Sequence, residues 1–219
     1  MSHKTTALIG STGLIGSHLL KLLQNDDHFS EIRVLVRRPV AINHPKVKVL
    51  VIDFEDATAF RKGFAGCDAV FVSVGTTQKK VKGDKTAYRK VDYDIPVNAA
   101  RFCAETGCKS FLLVSSVGAD SHSRNFYLKL KGEVEDEINR QNIPSISIFR
   151  PSMLLGKRNE SRPMETIAQL ISKPMSALFP SKYKPIKAGD VARAMIAASH
   201  QNETGFHIFH YREMMALLP

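Results

Sequence analysis

The chain has no apolar run near the ~20 residues needed to span a bilayer, so no membrane-crossing helix is expected. Its first residues, MSHKTTALIGS, lack the long apolar core of a secretory signal. The short apolar stretch there runs straight into a glycine-rich turn and reads as a first strand. From these two absences a cytoplasmic protein is expected. Cysteine is scarce: Cys67, Cys103 and Cys108 are odd in number and have no metal-binding spacing, so they are expected as buried free thiols. His207 and His210 lie three apart in a strand pattern, which points them to opposite faces and argues against a metal site. Acidic residues are outnumbered, 21 against 31 basic, for a formal charge of +10. The densest basic stretch, Lys79, Lys80, Lys82, Lys85, Arg89 and Lys90, is opposed only by Asp84. It carries neither the aromatic signature of RNA binding nor zinc-finger spacing, and is expected to be a solvated loop rather than a nucleic-acid contact.

What is present is ordinary globular composition, 43% hydrophobic and 24% charged. A length of 219 residues suits a single domain over 1–219, with a small C-terminal elaboration at about 151–219. Short strand patterns alternate with longer helical ones, which predicts an α/β fold with a doubly wound parallel sheet in the order 3-2-1-4-5-6. Strands are predicted at Thr6–Ile9, Ile32–Val36, Val47–Ile52, Ala69–Val74, Phe111–Val114 and Ser145–Phe149, with a last one at Gly205–Phe209. Helices are predicted at Gly13–Gln24, Asp56–Phe64, Thr86–Glu105, Tyr127–Arg140, Arg162–Ile171 and Gly189–Ser199.

The first strand leads into Gly10-Ser11-Thr12-Gly13-Leu14-Ile15-Gly16, which opens a helix. Gly10 permits the tight turn, Gly13 lets backbone approach a pyrophosphate, and Gly16 allows close helix–strand packing. The helix start then offers free N–H groups to phosphate. Such a turn between strand and helix predicts a Rossmann-type dinucleotide site. After strand two, a carboxylate would hold the 2′-hydroxyl of NAD. The chain has Arg37 and Arg38 there instead, whose guanidinium groups suit the 2′-phosphate of NADP, with NAD the alternative. Asp53 and Phe54 follow strand three and border the adenine side. Asp53 either accepts from the adenine amino group or caps the helix that starts near Asp56. Gly75 and Thr76 follow strand four, on the pyrophosphate–nicotinamide side.

Tyr127 and Lys131 form a YxxxK pair on one helix face. Free tyrosine, with a pKa of about 10, is a poor base at neutral pH, and a nearby ammonium favours its phenolate. Strand five ends in Ser115-Ser116, where a hydroxyl can bind a substrate carbonyl.

With GSTGLIG (10–16), VRRP (36–39), VSVGTT (72–77), VDYDIPVNAA (91–100), LLVSSVGAD (112–120), YLKLKGEVE (127–135) and FRPSMLLGKRNESRP (149–163), the chain resembles the short-chain dehydrogenase/reductase superfamily. More narrowly it is similar to the atypical branch that includes the HIV Tat-interacting-protein-type oxidoreductases. The resemblance implies Tyr127 as acid/base, Lys131 on the nicotinamide ribose, and Ser116 on the carbonyl, with Ser115 as the alternative serine. It places the Pro151–Leu154 segment, Met153 included, beside the nicotinamide. Arg150, Arg158 and Arg162 either line a substrate pocket or pair with Glu160, Glu165 or solvent. The tail after strand six is too short for the substrate domain of nucleotide-sugar epimerases, so a small-molecule substrate is expected; the oligomeric state stays open between monomer and homodimer. Two functions stay open: an NADP-dependent oxidoreductase acting on a small carbonyl or alcohol, or a cofactor-sensing regulatory protein with little turnover. The complete Ser–Tyr–Lys set favours the enzyme.

Overall fold

The computed structural model describes residues 4–155, 181–201 and 203–219. The helix expected over Arg162–Ile171, together with Arg158, Glu160, Arg162 and Glu165, lies outside them. Nine strands are described: β1 (Lys4–Ile9), β2 (Phe29–Val36), β3 (Val47–Val51), β4 (Ala69–Val72), β5 (Ser110–Val114), β6 (Ser145–Phe149), β7 (Leu154–Leu155), β8 (Ile186–Lys187) and β9 (Gly205–Phe209). The helices are α1 (Leu14–Gln24), α2 (Ala57–Lys62), α3 (Lys85–Arg89), α4 (Ile95–Glu105), α5 (Phe126–Asn139), α6 (Ala188–His200) and α7 (Tyr211–Ala216). Seven strands form one all-parallel sheet in the order β3-β2-β1-β4-β5-β6-β9. The expected order holds, and β9 extends it beside β6. A separate two-stranded pair, β7 with β8, was not expected, because two residues per strand leave no periodic signal.

A parallel sheet must bury both faces, and the sequence of β4 shows it: Ala-Val-Phe-Val, every residue buried. One face packs on α2, α4 and α5 through Phe60, Phe64, Phe102, Val134 and Ile138. The other packs on α1, α6 and α7 through Leu19, Leu23, Val191, Met195 and Met214. All three cysteines are buried free thiols.

The helix predicted over Thr86–Glu105 is interrupted. Between α3 and α4 the chain widens into a π-helical turn at Lys90–Asp94. Pro96, in the first turn of α4, has no N–H to bond the carbonyl of Asp92 four residues earlier, and its ring crowds that position. The wide turn relieves the conflict. It also buries the Asp92 side chain, which is 2% exposed.

Candidate functional site

The β1–α1 turn is shaped by close approach. Gly10 adopts φ +91°, and a Cβ on it would lie 2.7 Å from the carbonyl carbon of Ser73, just past β4. A Cβ on Gly16 would fall inside the Gly10 carbonyl oxygen. Gly13 is the N-cap of α1 and supplies no side-chain cap, so the first-turn N–H groups of Leu14, Ile15 and Gly16 face the turn as donors. Ser11 is 4% exposed. Its Oγ is the one buried side-chain polar atom without a hydrogen-bond partner among the described residues. Buried hydroxyls are ordinarily bonded, so this one marks a place for a ligand oxygen.

A cleft of about 330 Å3 opens from this turn. Ser11 and Thr12 line one part, Arg37 and Arg38 another, and Val40, Phe54, Val74 and Ile95 supply apolar wall. Phosphate donors, a flat apolar slot and guanidinium groups together fit a dinucleotide. Asp53 is exposed, and its Oδ1 accepts from the Glu55 amide at 2.9 Å. Asp53 does not cap α2: Asp56 does, accepting from the amides of Thr58 and Ala59 at 2.9 and 3.1 Å. Gly75 lies exposed in the loop after β4, while the Thr76 amide is already engaged by Asp92 Oδ2 at 2.6 Å.

At the other end of the site stands α5. Asn125 caps it, accepting from the amides of Tyr127 and Leu128 at 2.9 and 3.2 Å. Tyr127 is half-buried, and Lys131 Nζ sits 5.9 Å from its ring centre. The same Nζ is 3.1 Å from Asp92 Oδ1, so lysine, aspartate and the Thr76 amide form one buried chain. Ser115 Oγ donates to Glu135, whose carboxylate also accepts from Arg150 Nε at 3.1 and 3.0 Å and from Arg150 Nη2. Among the described residues Ser116 Oγ has only a 3.3 Å bond to the Val117 carbonyl. Of the two serines, Ser116 has the hydroxyl less committed to the protein. Beyond β6, the Pro151 carbonyl accepts from Val117 N at 3.0 Å and the Met153 carbonyl from Ile186 N at 3.0 Å. The buried Ser152 hydroxyl donates to the Lys184 carbonyl.

A family model described as NAD(P)H-binding matches residues 10–202. The chain belongs to that family. It is 34% identical to protein HTATIP2 of Rattus norvegicus over 199 residues, covering 90% of this chain and 81% of that one. It is 32% identical to the mitochondrial protein FMP52 of Candida albicans over 207 residues, covering 92% and 90%. Within the NAD(P)H-binding proteins it is an atypical short-chain dehydrogenase/reductase of the HTATIP2 branch, as its motifs implied. Among solved structures, WbmH of Bordetella bronchiseptica in complex with NAD+ has the same fold, with a TM-score of 0.72, 20% identity and coverage of 96% of this chain and 76% of that one. The expected cytoplasmic location is corrected by these relatives, since several fungal members of the branch are named as mitochondrial proteins. Location is read by cellular receptors, and the composition of a folded core does not encode it.

In this NAD(P)H-binding chain, three residues of the chemical end escaped the sequence reading. Asp92 and Glu135 hold the buried charges. Gly132 lets α5 approach the loop after β5, for a Cβ there would collide with the backbone of Asp120 and Ser121. Glu135 was open to detection, lying four residues past Lys131 on the same helix face. Arg150 was expected in a substrate pocket or paired with Glu160 or Glu165; its partner is Glu135. His210, near Arg150, has its pKa lowered from the ordinary histidine value, first by burial and then by the Arg150 charge. The basic stretch is partly anchored: Arg89 pairs with Glu133 at 2.7 Å, Lys90 with Glu55 at 2.7 Å, and Lys85 lies 5.5 Å from the Phe126 ring.

Proposed function

We propose that this protein is an NADP-preferring oxidoreductase acting on a small carbonyl or alcohol, with 1–219 working as one unit and the part after about 151 on the substrate side. The observation that carries the reading is that the cleft and the Ser116–Tyr127–Lys131 set share the C-terminal edge of one parallel sheet. The turn at 10–16 would hold the pyrophosphate through its amides and the Ser11 hydroxyl, and Phe54 would border the adenine. Arg37 and Arg38 would bind a 2′-phosphate, and among the described residues neither pairs with a carboxylate. Bound nicotinamide supplies the hydride donor or acceptor. Ser116 would hold the substrate oxygen by a hydrogen bond, and Tyr127 would give or take its proton. Pro151 and Met153 would border the reacting ring and limit access of water.

One observation favours a second reading, an NADPH-binding regulatory protein with little turnover: Lys131 is already paired with Asp92. Titration of the purified protein with NADPH and NADH, followed by nicotinamide fluorescence, tests the cofactor site. NADPH is expected to bind more tightly, and Arg37→Ala to lower its affinity about tenfold with NADH nearly unaffected. Equal loss for both cofactors would remove the 2′-phosphate assignment. Turnover of a carbonyl panel with NADPH separates the enzyme from the sensor, and loss of that turnover in Tyr127→Phe tests the acid/base.

A further inference from the structure

The face of α5 that carries Tyr127 and Lys131 continues for one more turn to Glu135, at the i, i+4, i+8 spacing that stacks side chains along one helix face. Glu135 is 3% exposed. Its carboxylate accepts the Ser115 hydroxyl and grips Arg150 through Nε and Nη2. Ser115 is the first residue past β5 and Arg150 the first past β6, so one carboxylate ties the helix to two adjacent strand ends.

The consequence falls on Ser116, which lies between two fastened neighbours. Ser115 is held by its hydroxyl on Glu135 and by its amide on the Phe149 carbonyl at 2.7 Å. Val117 donates its amide to the Pro151 carbonyl at 3.0 Å, and Pro151 directly follows Arg150. Glu135 fastens the first anchor directly, through the Ser115 hydroxyl, and the second through the side chain of Arg150, the residue next to Pro151. An apolar pair of similar volume would hold the strands to the helix without the cost of burying two charges. It would not fix their relative direction, because dispersion contacts are tolerant of small slides and hydrogen bonds are not.

We infer that Glu135 is the positioning residue that sets Ser116 against Tyr127, acting through Ser115 and Arg150. The inference rests on the oxidoreductase reading above. It assigns Glu135 no contact with substrate or cofactor.

The test uses the full chain, NADPH and a panel of aromatic and aliphatic aldehydes as probe carbonyls. Glu135→Gln leaves the half-buried Arg150 guanidinium without its counter-charge and risks failing to fold. The double variant Glu135→Leu/Arg150→Met removes both charges and keeps the volume. That double variant is expected to melt within a few degrees of the wild type and to keep its KM for NADPH within about twofold. Its kcat is expected to fall about 100-fold, the scale of a small misplacement of a reacting group. Ser115→Ala, which cuts one of the two anchors, is expected to lose about tenfold in kcat at unchanged KM for NADPH. An unchanged kcat in the double variant overturns the inference and leaves the oxidoreductase reading standing. Parallel losses in kcat, NADPH affinity and melting temperature also overturn it, since they describe a general packing role. A wild-type protein that binds NADPH but reduces none of the panel removes the enzyme reading, and the positioning role goes with it.

Discussion

Along the β1–α1 turn several polar groups line the cleft with no protein partner among the described residues. Among the described residues the Ser11 hydroxyl is buried and unbonded, α1 begins without a side-chain cap, and Arg37 and Arg38 line the cleft without a carboxylate partner. On α5 the reverse holds. Lys131 has Asp92, Arg150 and Ser115 have Glu135, and each of these carboxylates serves two groups at once. The first region is a socket, complete as backbone and incomplete in its hydrogen bonding. The second is a finished internal network. A ligand would supply what the first lacks, whereas on the proposed reading the second serves to keep Ser116 and Tyr127 in register.

This contrast can be broken by mutation. The largest effect is expected from Gly16→Ala, where a new Cβ meets the Gly10 carbonyl and neither backbone can yield. A loss of about 4 kcal/mol or more is expected in urea unfolding, the range of severe overpacking. A mild change would mean that the turn is looser than its contacts imply. Next comes the buried pair. Lys131→Met leaves Asp92 without its counter-charge and is expected to cost about 3 kcal/mol, whereas Lys131→Met/Asp92→Leu is expected to regain only part of it, because the Thr76 amide then loses its acceptor. If the single change costs nothing, the α5 network is not a closed one.

Ser11→Ala sharpens the comparison from the socket side. Removing an unbonded buried hydroxyl is expected to leave stability unchanged or raise it by up to about 1 kcal/mol. The same change is expected to lower NADPH affinity about tenfold in the fluorescence titration. A protein that becomes both less stable and weaker in binding would reveal an internal partner for Ser11.

The smallest effect lies at the opposite edge of the sheet, away from both regions. The pKa of His28 is lowered from its usual value, first by burial and then by the charges of Lys4 and His200. Lys4 Nζ is 2.7 Å from its Nε2, and the His28 and His200 rings are 4.4 Å apart. As pH falls through about 6.5 the unfolded chain takes up this proton before the folded one does. Stability is therefore present above that pH, declines below it, and levels once the folded histidine also protonates. Melting temperatures from pH 8 to pH 5 are expected to show this slope, and His28→Gln to flatten it. An unchanged slope in that variant would transfer the effect to His210, whose pKa is also lowered.

How much of this was legible in the sequence differs between the same two regions. The glycine turn and the arginines after β2 each occupy consecutive residues, so their chemistry reads off a short window. The strand order followed from alternating patterns, and β9 fell where its apolar run placed it. Asp92 and Glu135 are single carboxylates among many, and their partners come from other segments. The π-helical turn that delivers Asp92 was hidden inside a good helical pattern, with Pro96 as the only local sign. Arg150 was seen, but its partner was sought downstream instead of on α5.

The amino-acid sequence by itself determined the doubly wound sheet and the glycine turn, because hydrophobic period and backbone sterics act between near neighbours. Only the tertiary structure decided which polar groups are neutralised and which are left for a ligand. Pairing depends on distance and burial, and those exist only once β5, β6 and α5 have been brought together.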